Sequence, residues 1–219
     1  MRSKIIGFIL RPFAKLISYG CLKIMKRMKP PGDKRPSIAV SGHILNELVL
    51  PSVFNFFQED KFRELACFSK LPISEHDRIF NELEAAGVCL AIFYLRAAKR
   101  LVKPEEYHFW QNTEEHIPKQ LQKILMGYKI NGSDAKLMRQ LIDMRRLEYE
   151  KLAQDLRISY EQEHRFRTLS SEMKWLASAV QSTAVCTVDH IRRGNIKEGD
   201  LLIRHMVSWL FLLQKKIEK

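Results

Sequence analysis

From Ser74 to about Val102 the chain reads as a helix that is apolar on both sides. At 100° per residue, Ile79, Leu83, Ala86, Leu90, Tyr94, Ala97 and Leu101 share one face, and Val88, Ile92 and Leu95 occupy the opposite one. A helix apolar all round has to be covered all round, so this segment predicts a central element with neighbours on both sides. Ser74 with Asp77 three residues on has the form of a capping box and sets the expected start.

The covering elements read as helices too. Pro104 suits the first turn of a helix to about Met126, with Trp110, Ile117, Leu121 and Ile124 inward and a kink expected at Pro118. Asn131-Gly132 is a turn, and Ser133 caps a helix to about Arg157 carrying Met138, Leu141, Tyr149, Leu152 and Leu156. A long helix is expected from about Tyr160 to Arg192, striped by Phe166, Leu169, Met173, Leu176, Val180, Ala184 and Ile191 and stopped by Gly194. The last helix runs from about Lys197 to Ile217. Its stretch Met206 to Leu213, apolar except for Ser208, is too short to span a bilayer and belongs to a core or an interface.

Between Ser41 and Lys70, Ile44, Leu45, Leu48 and Val49 fit a helical face that Pro51 breaks or kinks. Phe54, Phe56, Phe57, Phe62 and Phe68 add an aromatic group read as core. With 46% hydrophobic residues and few Gly and Pro, 219 residues can bury one substantial core. The expected fold is all-α: a five- to six-helix bundle or irregular α-solenoid, preceded by a basic amphipathic N-terminal helix.

Charge divides the chain unevenly. Residues 1 to 40 hold ten Lys/Arg and one acid, Asp33, leaving 27 and 24 for residues 41 to 219; the first part therefore carries +9 of the net +12. A near-neutral body argues against diffuse phosphate-backbone binding, so nucleic acid ranks behind other partners. In a helix from Lys4 to Tyr19, Ile5, Ile6, Ile9, Phe13, Leu16 and Ile17 fall in one arc, widened by Phe8, with Lys4, Arg11 and Lys15 opposite. The longest uncharged run, Leu16 to Leu22, is far short of the roughly 20 residues a span needs. Residues 1–29 are thus a leader, 30–37 a Pro-rich linker and 38–219 a helical domain. The leader's membrane-surface residues are Lys4, Ile5, Ile6, Phe8, Ile9, Arg11, Phe13, Lys15, Leu16 and Ile17. It reads as an interfacial anchor on anionic lipid, as an organelle transit peptide, or as a helix packed on the domain. Cys21, Cys67, Cys89 and Cys186 have neither paired nor regular spacing, which fits a reducing compartment.

Chemical motifs are sparse. Glu105-x-x-His108 and Glu161-x-x-His164 have the form of a di-metal helix-bundle site that Glu47, Glu82 or Glu148 would complete. All four side chains nevertheless project roughly 120° to 180° from their helices' apolar stripes, so no metal ligand is assigned. Asp189-His190 with Arg192 and Arg193 reads as a capped helix end. No glycine-rich phosphate loop or nucleophile elbow occurs, so no catalytic residue and no cofactor is expected. Arg145 falls inside an apolar stripe and must either pair with an acid such as Glu148 or Glu172 or line an anion pocket. Together these readings predict a non-enzymatic helical interaction protein, an assembly factor or accessory subunit. It would sit on the cytoplasmic side of a membrane or on a mitochondrial matrix face. Two alternatives stand beside it: a helical enzyme or small-ligand-binding protein with a buried pocket, and a ribonucleoprotein subunit with an RNA-contacting basic tail.

Overall fold

The computed structural model describes residues 36 to 100 and 102 to 218; the leader and its membrane-surface residues lie outside them. The described residues form seven helices and no strand. They are α1 Ser37–Gln58, α2 Asp60–Leu65, α3 Ile73–Lys99, α4 Pro104–Gly127, α5 Gly132–Gln162, α6 Ser171–Ile191 and α7 Leu201–Ile217. The all-α expectation holds, with seven helices in place of five or six.

α3 is the central element. Every residue from Glu82 to Leu95 is buried, and α1, α4, α5, α6 and α7 all pack against it. Its neighbours come close at Gly87. A Cβ there would lie 3.1 Å from Val49 Cγ1 and from Val53 Cγ2 on α1, and 3.6 Å from Leu213 Cδ2 on α7. The missing side chain lets two helices settle against a third.

α1 passes through Pro51 rather than ending at it. Proline cannot donate to the carbonyl four residues back. The turn before it, Ile44–Val49, is π-wound, with the Leu50 N–H reaching five residues back to the Leu45 carbonyl. The apolar side survives this slackening: Ile44, Leu45, Val49, Val53 and Phe56 are buried. Pro118 likewise sits inside α4 without ending it.

Helix starts depart from expectation where another residue caps better. Pro72 supplies the extended residue before α3, and Ser74 lies inside the first turn with no capping bond. At α5 the cap is Asn131, whose Oδ1 accepts from the Asp134 N–H at 2.8 Å, while Ser133 Oγ donates to that same oxygen. The helix expected from Tyr160 to Arg192 is two pieces. α5 runs on to Gln162, a short 3₁₀ turn covers His164–Phe166, and Ser170 caps α6 by accepting from the Met173 N–H at 3.2 Å. Phe166, Leu169 and Met173 remain buried across this break, so the stripe is continuous although the helix is not. α7 starts at Leu201 rather than Lys197, because Gly199 turns the chain at φ 76° and Asp200 Oδ1 accepts from the Leu202 N–H at 2.9 Å.

Candidate functional site

Arg145 has an acidic partner, and it is Glu82, on α3. Nε and Nη2 donate to the two carboxylate oxygens at 2.8 and 2.6 Å, and Glu82 is only 4% exposed. This fork-to-fork geometry is the strong form of the ion pair, and hydrogen bonding to Glu82 raises the Arg145 pKa further. Glu148 Oε2 stands 3.6 Å from Arg145 Nη1 and 2.7 Å from His190 Nε2, which ties α5 to α6. No ion pair joins Arg145 to Glu172 among the described residues.

Two residues further along α3, Glu84 is equally buried and has no such partner. Its Oε1 is shielded from water without a hydrogen bond, and burial pushes the carboxyl up to about 7.

The Glu-x-x-His residues Glu105, His108, Glu161 and His164 are all exposed, as their helical angles required. Among the described residues no three metal-ligating side chains come together. The cluster at the end of α6 interlocks helix ends. Arg78 donates to the His190 and Ile191 carbonyls at 2.9 and 3.3 Å, Arg193 pairs with Glu75, and Arg192 reaches Asp200 Oδ2 at 3.1 Å and the Leu65 carbonyl at 2.8 Å. Hydrogen bonds from Arg193 and Arg78 hold the Glu75 carboxyl down at about 2. Arg78 and Arg192 thus satisfy carbonyls that the helix ends leave open.

Among the described residues, two concavities stand out as candidate sites. The larger, about 570 Å³, is an open cleft between α1 and α7. Its floor is Phe56 stacked on Trp209, with ring centroids 4.5 Å apart and planes 9° from parallel, and Trp209 Nε1 donates to Ser52 Oγ at 3.1 Å. Leu212, Lys215, Lys216 and Glu59 stand on the rim, where Glu59 Oε1 lies 3.2 Å from His205 Nε2. Leu212 and, further along α1, Phe54 expose 58% and 51% of their surface. The aromatic group Phe54 to Phe68 is therefore split: Phe56, Phe62 and Phe68 are core, and Phe54 faces solvent. By length and composition alone, α1 could cross a membrane; its 22 residues include a window of mean hydropathy 1.3, of which 39% is buried in the fold.

The smaller recess, about 190 Å³, lies where α3, α5 and α6 meet. Arg96 and Arg100 enter from α3, Glu150, Gln154 and Arg157 from α5, and Trp175 from α6, with Phe93, Ala153 and Ala179 completing the walls. Arg96 is spoken for: Nε donates to Glu114 at 2.5 Å and Nη1 to Glu150, while Lys99 holds the other Glu114 oxygen at 2.7 Å. Among the described residues, neither remaining guanidinium hydrogen-bonds a carboxylate. Arg100 lies 5.7 Å over the Trp175 ring. Arg157 is 3.6 Å from Glu161, and its Nε is shielded from water with no hydrogen-bond partner.

Sequence reasoning found the paired arginine, Arg145, and missed these two. Arg96 and Arg100, four residues apart, were a visible local signal; the arrival of Arg157 and Trp175 from other helices was not. Compared with known protein families, with curated proteins and with solved structures, the chain matches none.

Proposed function

We propose that this is a non-enzymatic interaction protein held at an anionic membrane surface by residues 1 to 29, with the helical body binding a protein partner as an accessory subunit or assembly factor does. The observation that carries the reading is the charge division: +9 of the net +12 lies in the first 40 residues, beside an apolar arc of suitable width. Each Lys or Arg at such a surface contributes on the order of 1 kcal/mol, so Lys4, Arg11 and Lys15 together shift binding by about two orders of magnitude.

The α1–α7 cleft suits the partner-binding half of the role. Its floor is apolar and aromatic, and its rim carries two lysines, Lys215 and Lys216, against one acid, Glu59. That combination fits an acidic amphipathic segment of another protein.

Co-sedimentation of the full chain with phosphatidylserine-containing vesicles tests the membrane half against a variant carrying Lys4→Glu, Arg11→Glu and Lys15→Glu. The intact chain should pellet and the variant should not; equal partitioning of the two sinks the reading. Binding to RNA with steep salt dependence and indifference to lipid would move the leader to the ribonucleoprotein alternative.

A further inference from the structure

We infer that the recess between α3, α5 and α6 is a binding site for a phosphate-sized dianion, a phosphomonoester group gripped by Arg100 and Arg157. This goes beyond the leader's role at a membrane, because every residue involved belongs to the folded body.

Charge is the first argument. The lining holds three arginines and one glutamate. Arg96 and Glu150 neutralise each other, and Arg96 and Lys99 share Glu114, which among the described residues leaves Arg100 without an acid and Arg157 with only the half-exposed Glu161, 3.6 Å from its Nε and beyond hydrogen-bond length. A phosphomonoester carries about −1.5 to −2 at neutral pH and has three oxygens, enough to engage both guanidinia at once.

Geometry is the second. A guanidinium presents a planar fork of donors that fits phosphate oxygens, and the Gln154 amide on the same wall offers a further donor. The Nε of Arg157 is a donor held away from water, with Glu161 at 3.6 Å too far for a hydrogen bond; a bound oxyanion would satisfy it. Arg100 over the Trp175 face is held by ring contact rather than by an acid, so its donors stay available.

Size is the third. At about 190 Å³ the recess is below the roughly 300–1,000 Å³ typical of sites that enclose a whole small molecule. It takes a headgroup and leaves the remainder of the ligand outside, past Trp175. Free phosphorylated compounds and the headgroup of phosphatidic acid offer that same group.

Calorimetric titration of the full chain with inorganic phosphate and with phenyl phosphate, and flotation with phosphatidylcholine vesicles containing phosphatidic acid, separate the two sources. Arg100→Ala and Arg157→Ala should each weaken the responding probe about tenfold or more, since each removes a charge-assisted contact. Arg139→Ala, an exposed arginine elsewhere on α5, should leave it unchanged. Loss confined to the soluble phosphates identifies a free ligand, and loss confined to the vesicles identifies a lipid headgroup. The inference is overturned if neither probe responds to Arg100 or Arg157, if acetate competes as well as phosphate, or if the Arg139 variant loses as much. Leader variants retain both arginines, so failure of the membrane reading leaves the soluble titrations intact.

Discussion

Two carboxylates on α3, Glu82 and Glu84, have the same 4% exposure and opposite fates. Glu82 turns toward α5 and meets the Arg145 fork in a two-bond ion pair. Glu84 precedes Gly87 by three residues and so shares the side of α3 that α1 and α7 press against, where it has no such partner and its carboxyl sits near 7. The difference teaches how one central helix can have two kinds of interior. Its α5 side is joined by charge at specific points, and its α1–α7 side is joined by close apolar contact that leaves a carboxyl stranded.

The largest effect should come from breaking the paired side. Arg145→Met leaves Glu82 buried and uncompensated, at a cost of about 3–5 kcal/mol in chemical denaturation. Replacing both, Glu82→Leu with Arg145→Met, should restore most of that loss, because two apolar groups of similar volume no longer need each other. A double variant as unstable as the single one would mean that the pair specifies the α3–α5 packing rather than merely tolerating burial.

Next comes the stranded side, where removing the charge should stabilise. The carboxyl has a folded pKa of about 7 against an ordinary 4.5, so between those values the unfolded chain gives up its proton first. Stability contributed by this group is therefore full below about pH 4.5 and falls as pH rises to about 7, by roughly 3 kcal/mol at 1.36 kcal/mol per pH unit. Urea midpoints should decline across that window in the parent protein, and Glu84→Gln should flatten the decline. An unchanged slope in the variant would show that Glu84 finds a partner in solution and that the two carboxylates differ little.

Third in size is the contact that crowds this side. Gly87→Leu places a large side chain where a bare Cβ is already 3.1 Å from Val49 and Val53, and overpacking of this kind costs about 1–3 kcal/mol. Gly87→Ala sets about 1 kcal/mol of regained helix propensity against a shift of a few tenths of an ångström, so its net effect is smaller. Thermal melts of the two variants grade how firmly α1 and α7 are seated.

Much of this arrangement was legible beforehand, and the rest was hidden for identifiable reasons. The all-round apolar pattern of α3 announced a central helix, because periodicity is local and survives any tertiary context. The outward angles of Glu105, His108, Glu161 and His164 were readable from the same geometry. Of the two acids beside Arg145, Glu148 was readable from its i,i+3 spacing, whereas Glu82, the one in the two-bond pair, is 63 residues away and was not. The break at Ser170 was masked by an apolar stripe that continues through it, so spacing alone joined α5 to α6. The arginine recess depends on three helices meeting, and only Arg96 and Arg100 are neighbours in sequence. Pairings across helices are set by the packing, which the linear pattern constrains without specifying.

The smallest expected effect probes where the close-packed side opens to solvent. Trp209 is 6% exposed, and its indole N–H has Ser52 as acceptor across the α1–α7 seam. Ser52→Ala removes that acceptor and leaves an orphaned donor, which costs about 1 kcal/mol where water cannot reach it and less where it can. Ser52 and Trp209 also line the cleft, so water has a path to the indole from that side. A loss near 1 kcal/mol would mean that the seam is dry and the cleft shallow at this point; a loss of a few tenths would mean that the cleft floor is wet. The Phe56–Trp209 stack should persist either way, because its contact area is untouched by the substitution. A shift in Trp209 emission toward the red in Ser52→Ala, with the melting temperature unchanged, would mark this seam as the softer of the two sides of α3 and the one a partner could enter.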